Sequence, residues 1–316
     1  MVAWWWHDKI SKDPKTYCMQ VHLFGATWSP SCTAYALKRT ASDNAEMYDE
    51  EVISTVHRNF YVDDCLKSVG SEEAAVKLAT ESQSLMKRGD FRLTKWLSNS
   101  RKVLDAIPET ERAPSVVKLQ LGDSLPKDRA LGVLWNVNDD TINFKVKLED
   151  RPVTRRGMLS IVSSIYDPLG LVSPVTLRAK AILQSLCREK IGWDDVAPQI
   201  SGNEWRRWLS SQQHLENVAV KRCLRNNNTG KLKDVQLHVF NDGSELGYGA
   251  CAYLRLVDEN DSVSCALVLG KARLAPIKQI SIPRLELSGA VTACRLSSMI
   301  SSELDLRINR TVYWTD

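Results

Sequence analysis

His238-Val239-Phe240-Asn241-Asp242-Gly243-Ser244 carries a strand to an acid and then turns at once through glycine. Just upstream, Val235, Leu237 and Val239 alternate as one face of a half-buried strand does. Strand-like runs follow at 248–256 and 263–269. Pro283 then opens a helix that places Leu287, Ala290, Val291 and Cys294 on one face, and Thr311-Val312-Tyr313-Trp314 reads as a further strand before Asp316. Glu286 stands at the start of that helix. A strand end, a helix start and a second strand end are places where Asp242, Glu286 and Asp316 can converge on a hard cation. Taken singly, each acid is an ordinary boundary residue: Asp242 in a turn, Glu286 beside a helix dipole, Asp316 near a strand end. The order and the element types give the set its weight.

Outward from this block, the polar run Arg225-Asn226-Asn227-Asn228-Thr229-Gly230-Lys231 is the best linker candidate. Residues 154–208 are mainly helical in pattern, broken by Asp167-Pro168-Leu169-Gly170 and by Ser173-Pro174. Residues 116–148 alternate and carry turn signals, as short antiparallel strands do. Ser71-Glu72-Glu73 starts a helix with Ala75, Leu78, Ala79 and Ser82 at helical spacing, and the segment 52–69 reads as extended, with a hairpin at Asp63-Asp64. Ser29-Pro30 reads as an N-cap and first helical residue of a helix running to about Arg39.

Net charge is only +4, from 42 Lys+Arg against 38 Asp+Glu, so total charge does not announce a nucleic-acid binder. Its distribution does more. Six basic residues and one acid lie between Ser84 and Lys102, and seven basic residues and two acids between Arg151 and Lys190, which suits a phosphate backbone. The 8 cysteines include no C-x-x-C pair, which argues against a zinc knuckle and a dense disulfide framework. The histidines show no metal-ligand spacing. Met1-Val2-Ala3-Trp4-Trp5-Trp6 lacks the basic lead of a signal peptide, and no apolar run is long enough for a membrane helix. The expectation is an intracellular protein, cytoplasmic or nuclear, that is neither secreted nor membrane-bound.

Tyr61-Val62-Asp63-Asp64 places two acids side by side in the turn of an apolar hairpin, which like-charge repulsion disfavours unless a divalent cation is bound. Upstream lies Leu23-Phe24-Gly25-Ala26-Thr27-Trp28-Ser29-Pro30, and downstream come Gly89-Asp90-Phe91-Arg92-Leu93-Thr94-Lys95-Trp96, Leu131-Gly132-Val133-Leu134-Trp135, Thr154-Arg155-Arg156 and Ile165-Tyr166-Asp167-Pro168-Leu169-Gly170. In this order the motifs resemble Bel/Pao-type retrotransposon polyproteins over nearly the whole chain, with Tyr61-Val62-Asp63-Asp64 similar to the Y-x-D-D box of reverse transcriptases. The carboxylates of the later block resemble those of ribonuclease H.

The resemblance implies an α+β multidomain chain: a truncated reverse-transcriptase palm with thumb/connection, then a truncated RNase H-like α/β domain. The corresponding segments are 1–110 (partial palm), 111–150 (primer-grip-like β segment), 151–228 (helical thumb/connection) and 229–316 (RNase H-like). It implies Asp63, Asp64, Asp242, Glu286 and Asp316 as catalytic metal ligands, Mg²⁺ or Mn²⁺ as the ion, and RNA–DNA hybrid or primed template as the partner. Phe24, Gly25, Ser29, Arg92, Lys95, Trp96, Arg155 and Arg156 would contact nucleic acid or nucleotide.

Two departures matter. The family's palm has a third Asp on a strand that would precede Met1, and its RNase H has a fourth acidic ligand that would follow Asp316. Both catalytic sets are therefore expected to be incomplete, with no polymerase activity and impaired hydrolysis unless polyprotein segments are supplied in trans. The alternative is a non-catalytic hybrid-binding remnant, or an inert product of a decayed element. A peptidase label is sometimes attached to this region of such elements, but the chain has no D-[ST]-G loop; Asp242-Gly243-Ser244 has the order reversed.

Overall fold

The computed structural model describes residues 2–4, 15–17, 25–117, 124–145, 151–225 and 230–316. It forms two compact units, Met1–Ser124 and Leu125–Asp316. Their boundary falls inside the segment 111–150, while 151–228 and 229–316 share the second unit.

In the first unit, β1 (Val2–Trp4) pairs antiparallel with β2 (Lys15–Tyr17). Helix α1 (Ser29–Asp43) has Pro30 in its first turn, where a missing N–H costs nothing, but Trp28 is the N-cap and the helix continues past Arg39. Helix α2 (Glu50–Arg58) corrects the extended reading of this stretch. The β-branched Val52, Ile53, Thr55 and Val56 suggested a strand. However, Glu50 and Glu51 in the first turn and His57 and Arg58 in the last complement the helix dipole. Burial of Val52 and Val56 in a cluster with Leu37, Ala41, Leu78, Leu85 and Met86 then outweighs the weak propensity penalty. No bare sheet edge therefore runs through 50–58.

The hairpin itself is present, as β3 (Phe60–Tyr61) and β4 (Asp64–Cys65) with Tyr61 opposite Asp64. Helix α3 (Glu72–Lys87) is capped by Ser71, whose hydroxyl accepts the Ala74 N–H at 3.2 Å. Short helices α4 (Arg101–Asp105) and α5 (Pro114–Val117) follow.

The second unit opens with β5 (Lys127–Ala130), β6 (Val133–Asn136) and β7 (Thr141–Asn143), an antiparallel meander. Helices α6 (Arg155–Ser164), α7 (Ser173–Arg188) and α8 (Gln199–Ser211) pack around Met158, Ile161, Ala179, Leu186, Trp205 and Trp208. Thr154 caps α6 through the Gly157 N–H. Strand β8 (Ala219–Lys221) then returns to pair with β7. Asp140 fastens this junction, receiving Arg222 at 2.6 and 2.9 Å and the Trp135 indole at 2.9 Å.

Strands β9 (Leu232–Gly243), β10 (Gly247–Asp258) and β11 (Val263–Leu274), helix α9 (Ile282–Glu303) and strand β12 (Arg310–Trp314) complete the unit. The sheet order is β11-β10-β9-β12, antiparallel except that β12 runs parallel to β9. Helix α9 lies on one face: Val235, Leu237, Val239, Ala252 and Leu254 from the sheet meet Ala293, Leu296 and Ile300. This corrects the expected helix face. Leu285, Gly289, Ala293, Leu296 and Ile300 point inward, whereas Leu287 is 64% exposed and Val291 and Cys294 are also exposed. Both stripes are apolar enough to read as the inner one; the small Gly289 and Ala293 belong to the side that must approach the sheet closely. Asp167-Pro168-Leu169-Gly170 sits at the sheet edge, where the Gly270 N–H donates to the Leu169 carbonyl at 2.8 Å.

The β10–β11 turn is organised by Asp258, whose carboxylate accepts the N–H groups of Ser262 (2.9 Å), Asn260 (2.9 Å) and Gly230 (3.2 Å). The Ser262 N–H leads in holding this carboxyl below its ordinary pKa, with Gly230 and Asn260 adding to it against the effect of burial. A carboxyl depressed in the folded state stabilises above its unfolded pKa and loses that contribution as pH falls through the lower folded value. The turn is therefore expected to loosen below about pH 4. Amide exchange at Asn260 and Ser262 should quicken on acidification in the wild type, while Asp258→Asn should exchange faster already at neutral pH and change less with acid.

Candidate carboxylate site

Asp242 is next to last in β9, and Gly243 brings the strand end against the start of α9. A Cβ at Gly243 would lie 2.5 Å from the Glu286 nitrogen and 2.6 Å from the Leu285 carbonyl carbon. One turn along α9, a Cβ at Gly289 would lie 2.9 Å from the Asp242 carbonyl oxygen. Two glycines on different elements thus allow backbone-to-backbone contact at the level of Asp242 and Glu286. Asp242 is exposed, with Oδ1 accepting the Gly243 N–H at 2.7 Å, and Glu286 is half-buried.

Asp316 is brought level with Asp242 by register. Trp314 stands beside Phe240 in the parallel pair, and each acid lies two residues further on. Asn241 donates to the Trp314 carbonyl at 3.1 Å, and the Phe240 and Trp314 rings stack at 5.7 Å on the sheet face opposite α9. The three carboxylates therefore share one end of the sheet. They do not close into a cluster: among the described residues, no three His, Cys, Asp or Glu form a group able to hold a metal ion. The three carboxylates are hard oxygen donors of the kind that Mg²⁺ or Mn²⁺ takes, but they are not gathered into one metal-holding group in this structure.

Asp63 and Asp64 lie at the β3–β4 hairpin, both exposed, without a third carboxylate in a metal-holding group. Val62 beside them has φ +54, a backbone region that a β-branched residue rarely adopts.

The expected nucleic-acid contacts fall in both units, Phe24 to Trp96 in the first and Arg155 and Arg156 in the second. Phe24 lies outside the described residues. Gly25 takes φ +83, with nothing among the described residues within 4 Å of where a Cβ would stand. Ser29 is buried in α1. Arg92 is paired with Glu111 at 2.6 Å and Arg156 with Asp194 at 2.7 Å, both at the surface. Lys95 is exposed, and Trp96 packs half-buried against Ala79, Val103 and Ile107. Arg155 is turned inward: it donates to the Ile191 carbonyl at 2.6 Å and lies 4.3 Å from the centre of the Trp193 ring. That geometry uses Arg155 to tie α6 to the loop after α7. Sequence reasoning missed the roles of Gly243 and Gly289; a glycine within the apolar side of the helix was the available signal.

No helix among the described residues is long and apolar enough to cross a membrane. No curated protein matches the chain. The family model described as Pao retrotransposon-like RNaseH-like domain matches residues 154–316, just over half of the chain. This span covers α6 to β12, including the sheet and helix that carry Asp242, Glu286 and Asp316. The chain therefore belongs to the Pao retrotransposon-like RNaseH-like domain family and is a retrotransposon-derived protein.

Proposed function

We propose that this chain is part of a retrotransposon RNA-directed DNA polymerase/ribonuclease H, and that its second unit binds RNA–DNA hybrid while cleaving it poorly or not at all. The observation carrying this reading is the end of the β9–β12 sheet. Asp242, Glu286 and Asp316 come from the element types and in the order that the sequence led us to associate with ribonuclease H, yet they form no metal-holding group. Membership of an RNase H-like family supports the hybrid as ligand. The same reasoning applies to the first unit: Asp63 and Asp64 alone do not make a polymerase centre, so nucleotide incorporation on a primed template is not expected.

The test is a labelled RNA–DNA hybrid, with Mg²⁺ or Mn²⁺ added, presented to wild type and Asp242→Asn. Binding followed by fluorescence anisotropy should weaken steeply as salt rises. Cleavage should not exceed that of Asp242→Asn. Cleavage by wild type that the variant lacks would overturn the non-cleaving part of the reading. Absence of any salt-dependent binding would remove the hybrid as ligand.

A further inference from the structure

The second unit carries two exposed apolar patches whose rims differ in charge. On α9, Leu287, Val291 and Cys294 follow one another at steps of four and three residues and so share one side of the helix, the side turned away from the sheet. All three are exposed, Leu287 to 64%. Arg284, three residues before Leu287, and Arg295, four after Val291, are exposed along the same side.

The other patch lies where the chain after α7 enters α8. Trp193, Val196 and Ile200 are exposed to 49%, 80% and 78%. The backbone beneath them is pinned: the Ala197 N–H donates to the Val153 carbonyl at 2.9 Å, and the Gly202 N–H to that of Pro198 at 2.8 Å. Val196 and Ile200 are thus presented by a fixed turn. Asp195, and Glu204 one helical turn beyond Ile200, are exposed at the rim. Asp194 is paired with Arg156 at 2.7 Å, and Arg207 stands a further turn along α8.

We propose that the two patches are the halves of one head-to-tail contact between copies of this chain. The α9 stripe of one copy covers Trp193, Val196 and Ile200 of the next, and Arg284 and Arg295 meet Asp195 and Glu204. Both patches belong to the second unit and both are exposed, so neither covers the other within one copy. A second copy meets both requirements at once, an apolar surface for the stripe and a rim of the opposite sign. An α9 stripe set against its own counterpart would bring two arginine rims together, which like charges disfavour. The contact is heterologous, so each end of a pair keeps one unused patch, and growth continues beyond the dimer unless the geometry closes a ring. It is also small, so a dissociation constant on the order of 10–100 µM is expected.

Sedimentation velocity without nucleic acid, from about 5 to 500 µM, should show wild type growing past the dimer as concentration rises, and less so as salt screens the rims. Val291→Glu and Ile200→Lys each set a charge into the apolar contact, facing a rim of like sign on the partner copy. Each should weaken association at least about tenfold. Mixed in equal amounts, the two variants keep one intact patch each and should form a 1:1 pair that grows no further. Leu287→Glu and Val196→Lys should repeat these results, and Val263→Lys, at a 50% exposed valine on β11, should behave as wild type. Wild type that stays monomeric throughout would overturn the proposal. So would association lost in Val291→Glu but kept in Ile200→Lys, the mark of α9 meeting α9. Association strengthened by salt, or a mixture of the two variants that stays monomeric, would overturn it as well.

Discussion

Gly243→Ala is expected to lower the stability of the second unit by about 3 kcal/mol, because the added methyl meets backbone on the facing helix and not a side chain that can swing aside. For a unit of this size that is a drop of roughly 6–12 °C in the unfolding midpoint. The damage is local in origin. Strand β9 and helix α9 must part where Asp242 and Glu286 meet, so hybrid binding at that end of the sheet should weaken along with stability. Gly202→Ala is the matched control. Gly202 lies in α8 with nothing closer than 3.7 Å to the new methyl, and should gain about 0.5–1 kcal/mol from improved helix propensity. A Gly243→Ala melt no lower than that of Gly202→Ala would show that the strand–helix contact is not tight in solution.

Gly170→Ala should be similarly costly for two separable reasons. Gly170 holds φ +68, and a Cβ there would lie 2.6 Å from the Gly270 carbonyl carbon and closer still to its oxygen. Left-handed strain contributes about 1–2 kcal/mol and overpacking against backbone about 1–3, giving about 3 kcal/mol in all. The Leu169–Gly270 hydrogen bond should break first. Fast amide exchange at Gly270, with the β9–β10 amides still protected, would locate the damage at the sheet edge. Uniform loss of protection would instead mean that this edge contact is required by the whole unit.

How much was legible beforehand depended on whether local pattern and tertiary burial agreed. The β9 alternation through Val235, Leu237 and Val239, the Ser71 cap and the breaks at 167–170 and 173–174 were visible because each rests on a local rule. Helix α2 was misread because its β-branched residues favour strands locally, and only neighbouring α1 and α3 provide the burial that decides otherwise. The inward face of α9 was misassigned because two apolar stripes compete on one helix, and the choice between them lies in the sheet it covers. The order of Asp242, Glu286 and Asp316 could be read from the chain. Their failure to close into a metal-holding group could not, since it depends on distances between elements. Likewise, no sequence rule separates Arg155, turned onto Trp193, from Arg284, left at the surface.

The return of β8 to β7 has a kinetic consequence. Asn143 and Val218 meet across 75 residues, so the outer side of β7 stays unpaired until all of α6, α7 and α8 has been synthesised. Closing so long a loop carries an entropic cost that the three helices can reduce by packing first and bringing its ends together. On the ribosome, the meander would wait with one bare flank while the helical bundle matures. The last hydrogen bonds of that sheet would then act as the latch that reports the bundle complete.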